Sequence, residues 1–164
     1  MQKRAIYPGT FDPITLGHVD IIERSSRVFD EVLVTLAVNP KKTALFSAAE
    51  RREMLEDAVK HISNVKVLEF DGLIVDLAKS EGASAIIRGL RAISDFEFEF
   101  QMALMNRNLA EEIDTVFFMP DEKFTYISSS IIKNVASFKG EIRKLVPKLV
   151  AEKLINRYDK EDVQ

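Results

Sequence analysis

Apolar residues recur along this chain with two alternating periods. Short runs rich in Val, Ile and Leu occupy residues 3–7, 31–38, 64–70, 84–87 and 114–119, several of them apolar at consecutive positions. Such runs read as strands buried on both faces of a parallel sheet. Between them the apolar positions fall three and four apart, which is the spacing of one helix face. Helices are expected over about 17–29, from Ser47 onward, over 73–80, from 94 to about 112, over 129–138, and after Pro147. Ser47 and Glu50 stand at capping-box spacing and mark the second start. Phe96-Glu97-Phe98-Glu99-Phe100 alternates like a strand, yet it lies in a long breaker-free segment of helix formers and is read as helix. Strands alternating with helices predict an α/β fold with a five-stranded parallel sheet flanked by helices.

Composition narrows the partners. The 164 residues are 46% hydrophobic, enough for one domain with a core, expected over 1–158, and the charged tail 159–164 is expected to fray. No internal repeat, low-complexity segment or linker interrupts it. A formal charge of -3 opposes nucleic-acid or anionic-membrane binding, which need a basic field. With no cysteine and two histidines, His18 and His61, a disulfide framework and a structural zinc site lack ligands. Only Ala5, Ile6 and Tyr7 separate the basic start from Pro8, and no later apolar run is bilayer-length, so a cytoplasmic protein is expected.

Open parallel sheets bind ligands beyond the carboxyl ends of their strands, and the unusual residues of this chain collect there. Pro8-Gly9-Thr10 follows the first expected strand, Pro40-Lys41-Lys42 the second, and Gly72-Leu73-Ile74 the third. Arg88-Gly89-Leu90-Arg91 follows the fourth, and residues 120–130 the fifth. Gly9 and Gly17 are expected to let the backbone turn tightly and approach a ligand, with the helix opening near Gly17 aiming free N–H groups at an anion and His18 adding a side-chain donor. Arg88 and Arg91 can clamp phosphate oxygens; the plainer reading is a pair of solvated arginines pairing with Asp95 and Glu99. Ser128-Ser129-Ser130 opens a later helix, either as a second anion site or as an ordinary cap. No nucleophile elbow or sequence-adjacent triad partner is present, and the equipment suits direct displacement on a phosphate-containing group.

These residues carry a resemblance. Tyr7-Pro8-Gly9-Thr10-Phe11-Asp12-Pro13-Ile14-Thr15, Gly17-His18, Ile87-Arg88-Gly89-Leu90-Arg91, Asp95-Phe96-Glu97 and Ile127-Ser128-Ser129-Ser130 occur in an order and spacing far more specific than any one of them. From Met1 to about Pro147 the chain resembles the bacterial phosphopantetheine adenylyltransferases, within the nucleotidyltransferase superfamily marked by a His/Thr-x-Gly-His motif. The resemblance implies a single-domain Rossmann-like dinucleotide-binding fold. It also implies adenylyl transfer from ATP to 4'-phosphopantetheine, giving dephospho-coenzyme A and pyrophosphate without a covalent intermediate.

The resemblance further implies site roles. His18, Thr10, Lys42 and Arg91 would be catalytic: His18 a donor to the α-phosphate, Thr10 and Lys42 orienting the attacking phosphate. ATP would meet Pro8, Thr10, Phe11, His18, Arg88, Gly89, Leu90, Arg91, Glu99, Phe124, Thr125, Tyr126, Ile127, Ser128, Ser129 and Ser130. Phosphopantetheine would meet Thr10, Lys42, Leu73, Ile74, Arg88, Met102 and Asn106. Asp95, Glu99, Met102 and Asn106 share one face at helical spacing, although core packing is the plainer reading of Met102, Leu73 and Ile74. Mg2+ would arrive on ATP rather than in a dedicated carboxylate cage. A homohexamer is implied, with dephospho-coenzyme A and coenzyme A as candidate product and feedback ligands. Leu16, Ile74 and Phe98 stand where the family usually has Asn, Met and Tyr. A sister nucleotidyltransferase with another acceptor, a non-catalytic adenine-nucleotide or coenzyme A sensor, and a purely structural oligomer remain as rival readings.

Overall fold

The computed structural model describes residues 3–38 and 43–161. Consecutive apolar residues in the inner strands are explained by a sheet covered on both sides. Strands β1 (Arg4–Gly9), β2 (Glu31–Ala37), β3 (Val65–Phe70), β4 (Ala85–Gly89) and β5 (Asp114–Phe118) are all parallel, in the order β3-β2-β1-β4-β5. Within β1, Ala5 and Tyr7 point to one core and Ile6 to the other.

The larger core is closed by α1 (Leu16–Ser26), α2 (Ala48–Val59), α5 (Ser129–Ser137) and α6 (Lys148–Glu161). The smaller one, around Ile6, Leu33 and Ile86, is closed chiefly by α3 (Ile74–Ser80) with Ala110 and Ile113. Helix α4 (Ile93–Leu109) buries Glu99 and Asn106 but leaves Phe96, Phe98, Phe100, Leu104 and Met105 exposed. The Phe96–Phe100 stretch is thus helical despite its alternation, and the rings of Phe96 and Phe100 stack at 5.7 Å between centroids.

The element boundaries depart from the pattern in instructive places. Strands β1 and β4 run two residues past the last apolar position, through Pro8-Gly9 and Arg88-Gly89, because those residues meet a crevice instead of a core. Helix α4 ends at Leu109, where the Ala110 N–H bonds back to Asn106, short of the expected 112. Helix α6 continues to Glu161, into the stretch expected to fray. Ser47 caps α2 as its spacing predicts: its side chain accepts from the Glu50 N–H, and the Glu50 carboxylate accepts from the Ser47 N–H.

Strand β1 pairs with β2 out to Gly9–Leu36, and β4 pairs with β5 out to Gly89–Phe118. Between β1 and β4 the pairing comprises only Ala5–Ala85 and Ile6–Ile86. Beyond these residues the sheet splits, at the point where the strand order reverses.

Candidate active site

Helix α1 opens over the split and fixes His18. Thr15 is its N-cap, accepting from the His18 N–H, and the Thr15 N–H donates to His18 Nδ1 at 3.0 Å. Histidine therefore takes the place that Glu or Gln holds in an ordinary capping box. Because Nδ1 accepts that bond, the neutral ring carries its proton on Nε2. Burial, helped by the positive charge of Arg91, pushes the imidazole pKa down from 6.5 to about 4. At neutral pH His18 is an uncharged, oriented Nε2–H donor.

The loop before α1 turns differently from what its glycines suggest. The reversal is made at Phe11, with φ of 46°, and at the cis Asp12–Pro13 peptide. Neither Gly9 nor Gly17 has a positive φ. Gly9 is needed for space: a Cβ there would sit 2.8 Å from the Phe11 ring, which packs edge-on against both Tyr7 and His18. Gly17 leaves room beside Phe124, where a Cβ would make ordinary contact at 3.6 Å.

Across the split, β4 delivers Arg88. Its Nε and Nη2 donate to the two Glu99 carboxylate oxygens at 2.7 and 2.6 Å, and Glu99 is buried on α4. This bidentate pair raises the Arg88 pKa further and locks its plane facing the crevice. Arg91 donates to Asp95 at 3.2 Å and to the Ile127 carbonyl at 3.1 Å, tying the end of β4 to the start of α5. Both ion pairs of the plainer reading form, yet both arginines still line the crevice. The buried Tyr7 hydroxyl faces the same space, its pKa raised chiefly by burial.

The three serines divide their work. Ser128 caps α5 by accepting from the Ile131 N–H, and the Ser129 hydroxyl donates to the Pro13 carbonyl at 2.8 Å. The Ser130 hydroxyl has no partner among the described residues. Two helix N-termini, α1 and α5, thereby face one cavity of about 300 Å³ lined by Tyr7, Pro8, His18, Arg88, Gly89 and Arg91, among others. An adjoining cavity of about 510 Å³ shares Phe11, His18, Ser129 and Ser130 with it and adds Thr10, Asp12, Arg51 and Lys133. His18 stands on the boundary of the two. A nucleotide-sized and an acceptor-sized space meeting at one neutral donor suits transfer between two bound phosphate compounds.

Comparison with known proteins agrees. A profile of the cytidylyltransferase-like family matches residues 6–135. Phosphopantetheine adenylyltransferase of Heliobacterium modesticaldum is 51% identical over 94% of this chain and 92% of its own length. Those of Lachnoclostridium phytofermentans and Desulfitobacterium hafniense are 52% and 53% identical over 96% and 98% of this chain, and 97% and 98% of theirs. This chain belongs to the phosphopantetheine adenylyltransferase family. The solved structure of Plasmodium falciparum nicotinic acid mononucleotide adenylyltransferase complexed with NaAD matches this fold with a TM-score of 0.70, at 17% identity over 97% of this chain and 98% of that one.

Most residues that the family resemblance singles out converge here. Pro8, Phe11, His18, Arg88, Gly89, Arg91, Glu99, Phe124 and Ile127 line the first cavity, together with Ser128, Ser129 and Ser130. Thr10, which the resemblance places with both ATP and the acceptor, lines the second cavity and not the first. Leu73, Ile74, Leu90, Met102, Asn106, Thr125 and Tyr126 line neither: Leu73, Met102 and Tyr126 are exposed, while Thr125 caps the short turn Glu122–Phe124. Lys42 lies outside the described residues. Sequence reasoning passed over Tyr7 as a lining residue, and Arg51 and Lys133 altogether. Tyr7 belongs to the quoted motif and could have been found by strand alternation. Arg51 carries no local signal, since it sits on α2 among other charged residues, whereas Lys133 is the one charged residue of α5 and could have been found by that isolation.

Proposed function

We propose that this protein transfers the adenylyl group of ATP to 4'-phosphopantetheine, giving dephospho-coenzyme A and pyrophosphate. The observation that carries this reading is the neutral His18 Nε2–H at the junction of two cavities. ATP takes the first cavity, with its base and ribose between Pro8, Gly89 and the segment 124–127. Its β- and γ-phosphates lie toward Arg91 and the N-terminus of α5. The phosphate of the acceptor enters from the Thr10 side, where Lys42 joins Thr10 in orienting it, and Arg88 holds it from the wall of the first cavity. One acceptor phosphate oxygen forms a bond to the α-phosphorus as the bond from that phosphorus to the bridging oxygen of pyrophosphate breaks in line. His18 donates to the α-phosphate oxygens as charge accumulates on them. The Thr15 bond holds Nδ1 as an acceptor, so the ring stabilises charge instead of shuttling a proton.

Mg2+ fits this arrangement as an ion carried by the nucleotide. Asp12 and Glu99, the buried carboxylates of the crevice, are engaged by Lys133 and Arg88, which leaves phosphate oxygens and water as its natural ligands. When bound it neutralises phosphate charge and orients the leaving pyrophosphate. No helix among the described residues is long and apolar enough to cross a membrane, and a cytoplasmic location is part of the same proposal. So is a homohexamer, supported by the apolar surface of α4. Coenzyme A and dephospho-coenzyme A, which share the acceptor's pantetheine arm, are the candidate product and feedback ligands.

The test is pyrophosphate release from purified protein with magnesium-ATP and 4'-phosphopantetheine, run beside nicotinate mononucleotide and a CTP control. Release with phosphopantetheine alone is expected. Release with another acceptor would retain the mechanism and replace the substrate, and nucleotide binding without release would favour a sensor.

A further inference from the structure

Arg51 is a buried cation, 6% exposed, with no carboxylate partner among the described residues. Buried guanidinium groups ordinarily sit against an anion that offsets the loss of hydration. Here the donors go to backbone carbonyls instead: Nε to Phe46 at 3.2 Å and Nη1 to Thr10 at 2.8 Å. Asp12, the buried carboxylate of the neighbouring loop, is already committed. It accepts from the Leu45 and Phe46 N–H groups at 2.9 and 3.0 Å and from Lys133 at 2.8 Å. Arg51 and Asp12 therefore grip the backbone at Leu45 and Phe46 by both polarities, and Arg51 carries that grip on to Thr10. Both Arg51 and Thr10 line the larger cavity, and neither lines the one assigned to ATP.

We infer that Arg51 is a positioning residue for the acceptor: by holding the Thr10 carbonyl it sets the Thr10 hydroxyl where the acceptor phosphate binds, without contributing to nucleotide binding. The inference rests on the acceptor reading above. It needs the planar fork of a guanidinium, because two carbonyls belonging to different segments are bridged at once, and a lysine ammonium is a single point of donation.

Isothermal titration of Arg51→Lys with 4'-phosphopantetheine and, separately, with magnesium-ATP tests it. Acceptor affinity should fall by about tenfold, as for one lost positioning contact, with ATP affinity within about twofold of wild type. In turnover the KM for acceptor should rise while that for ATP holds. A purely structural role would lower the melting temperature and weaken both ligands together or neither, and either result overturns the inference. Arg51→Gln removes the buried charge but keeps a donor; it serves as the second variant if the lysine protein does not fold, with the same split expected. If wild-type protein binds phosphopantetheine and the variants bind it equally well, the inference alone falls. If wild-type protein does not bind it, the acceptor reading falls and takes the inference with it.

Discussion

At the scale of single residues, the placement of one proton decides what His18 can do. An imidazole whose Nδ1 accepts a backbone N–H, and whose pKa is pushed to about 4, donates from Nε2 across the physiological range. Replacing it with Ala should lower kcat by about 10²-fold and leave the KM for ATP nearly unchanged, as for the loss of one donor aimed at developing charge. Equal effects on both would make it a ground-state binder. The same shift has a consequence for stability. Between pH 6.5 and about 4 the unfolded chain protonates this histidine while the folded protein resists, so stability falls as pH drops through that window. The loss approaches about 3 kcal/mol at its acid end. Urea titrations across the window should show this slope, and His18→Gln should flatten it.

Among the elements, the junction of β4 with α4 invites a direct test. The Arg88–Glu99 pair joins them by two short charge-assisted bonds at the edge of the crevice. Glu99→Gln leaves Arg88 half-buried without its anion, and chemical denaturation should register a loss of about 1–3 kcal/mol. The elements themselves were largely legible, because periodicity reports which faces are covered, and α1, α2 and α5 begin where Thr15, Ser47 and Ser128 permit. What periodicity could not reveal is how the phosphate loop turns. Its motif suggested that glycines make the bend, whereas Phe11 and the cis peptide make it and Gly9 clears space for a ring. Arg51 escaped for a related reason. Its importance lies in two carbonyls, and a carbonyl belongs to every residue alike, so no sequence pattern marks it.

For the whole molecule, α4 presents Phe96, Phe98, Phe100, Leu104 and Met105 to solvent, whereas among the other described helices Ile131 of α5 is the one large apolar side chain so exposed. Exposed apolar surface of that extent calls for a partner. If α4 lies in a subunit interface, Phe98→Lys should shift the protein to a smaller species in sedimentation, with the melting temperature becoming concentration-dependent. The parallel five-stranded sheet was readable from the chain alone; the early parting of β1 from β4 was not, since register depends on the packing of whole elements. That parting makes the sheet two panels, β3-β2-β1 and β4-β5, joined along a seam of two residue pairs. A nucleotide seated between Pro8 on one panel and Gly89 on the other would act as mortar in that seam. Occupancy and the rigidity of the whole sheet then become the same quantity, and the enzyme would be stiffest when loaded and free to breathe open along its own centre line when product departs.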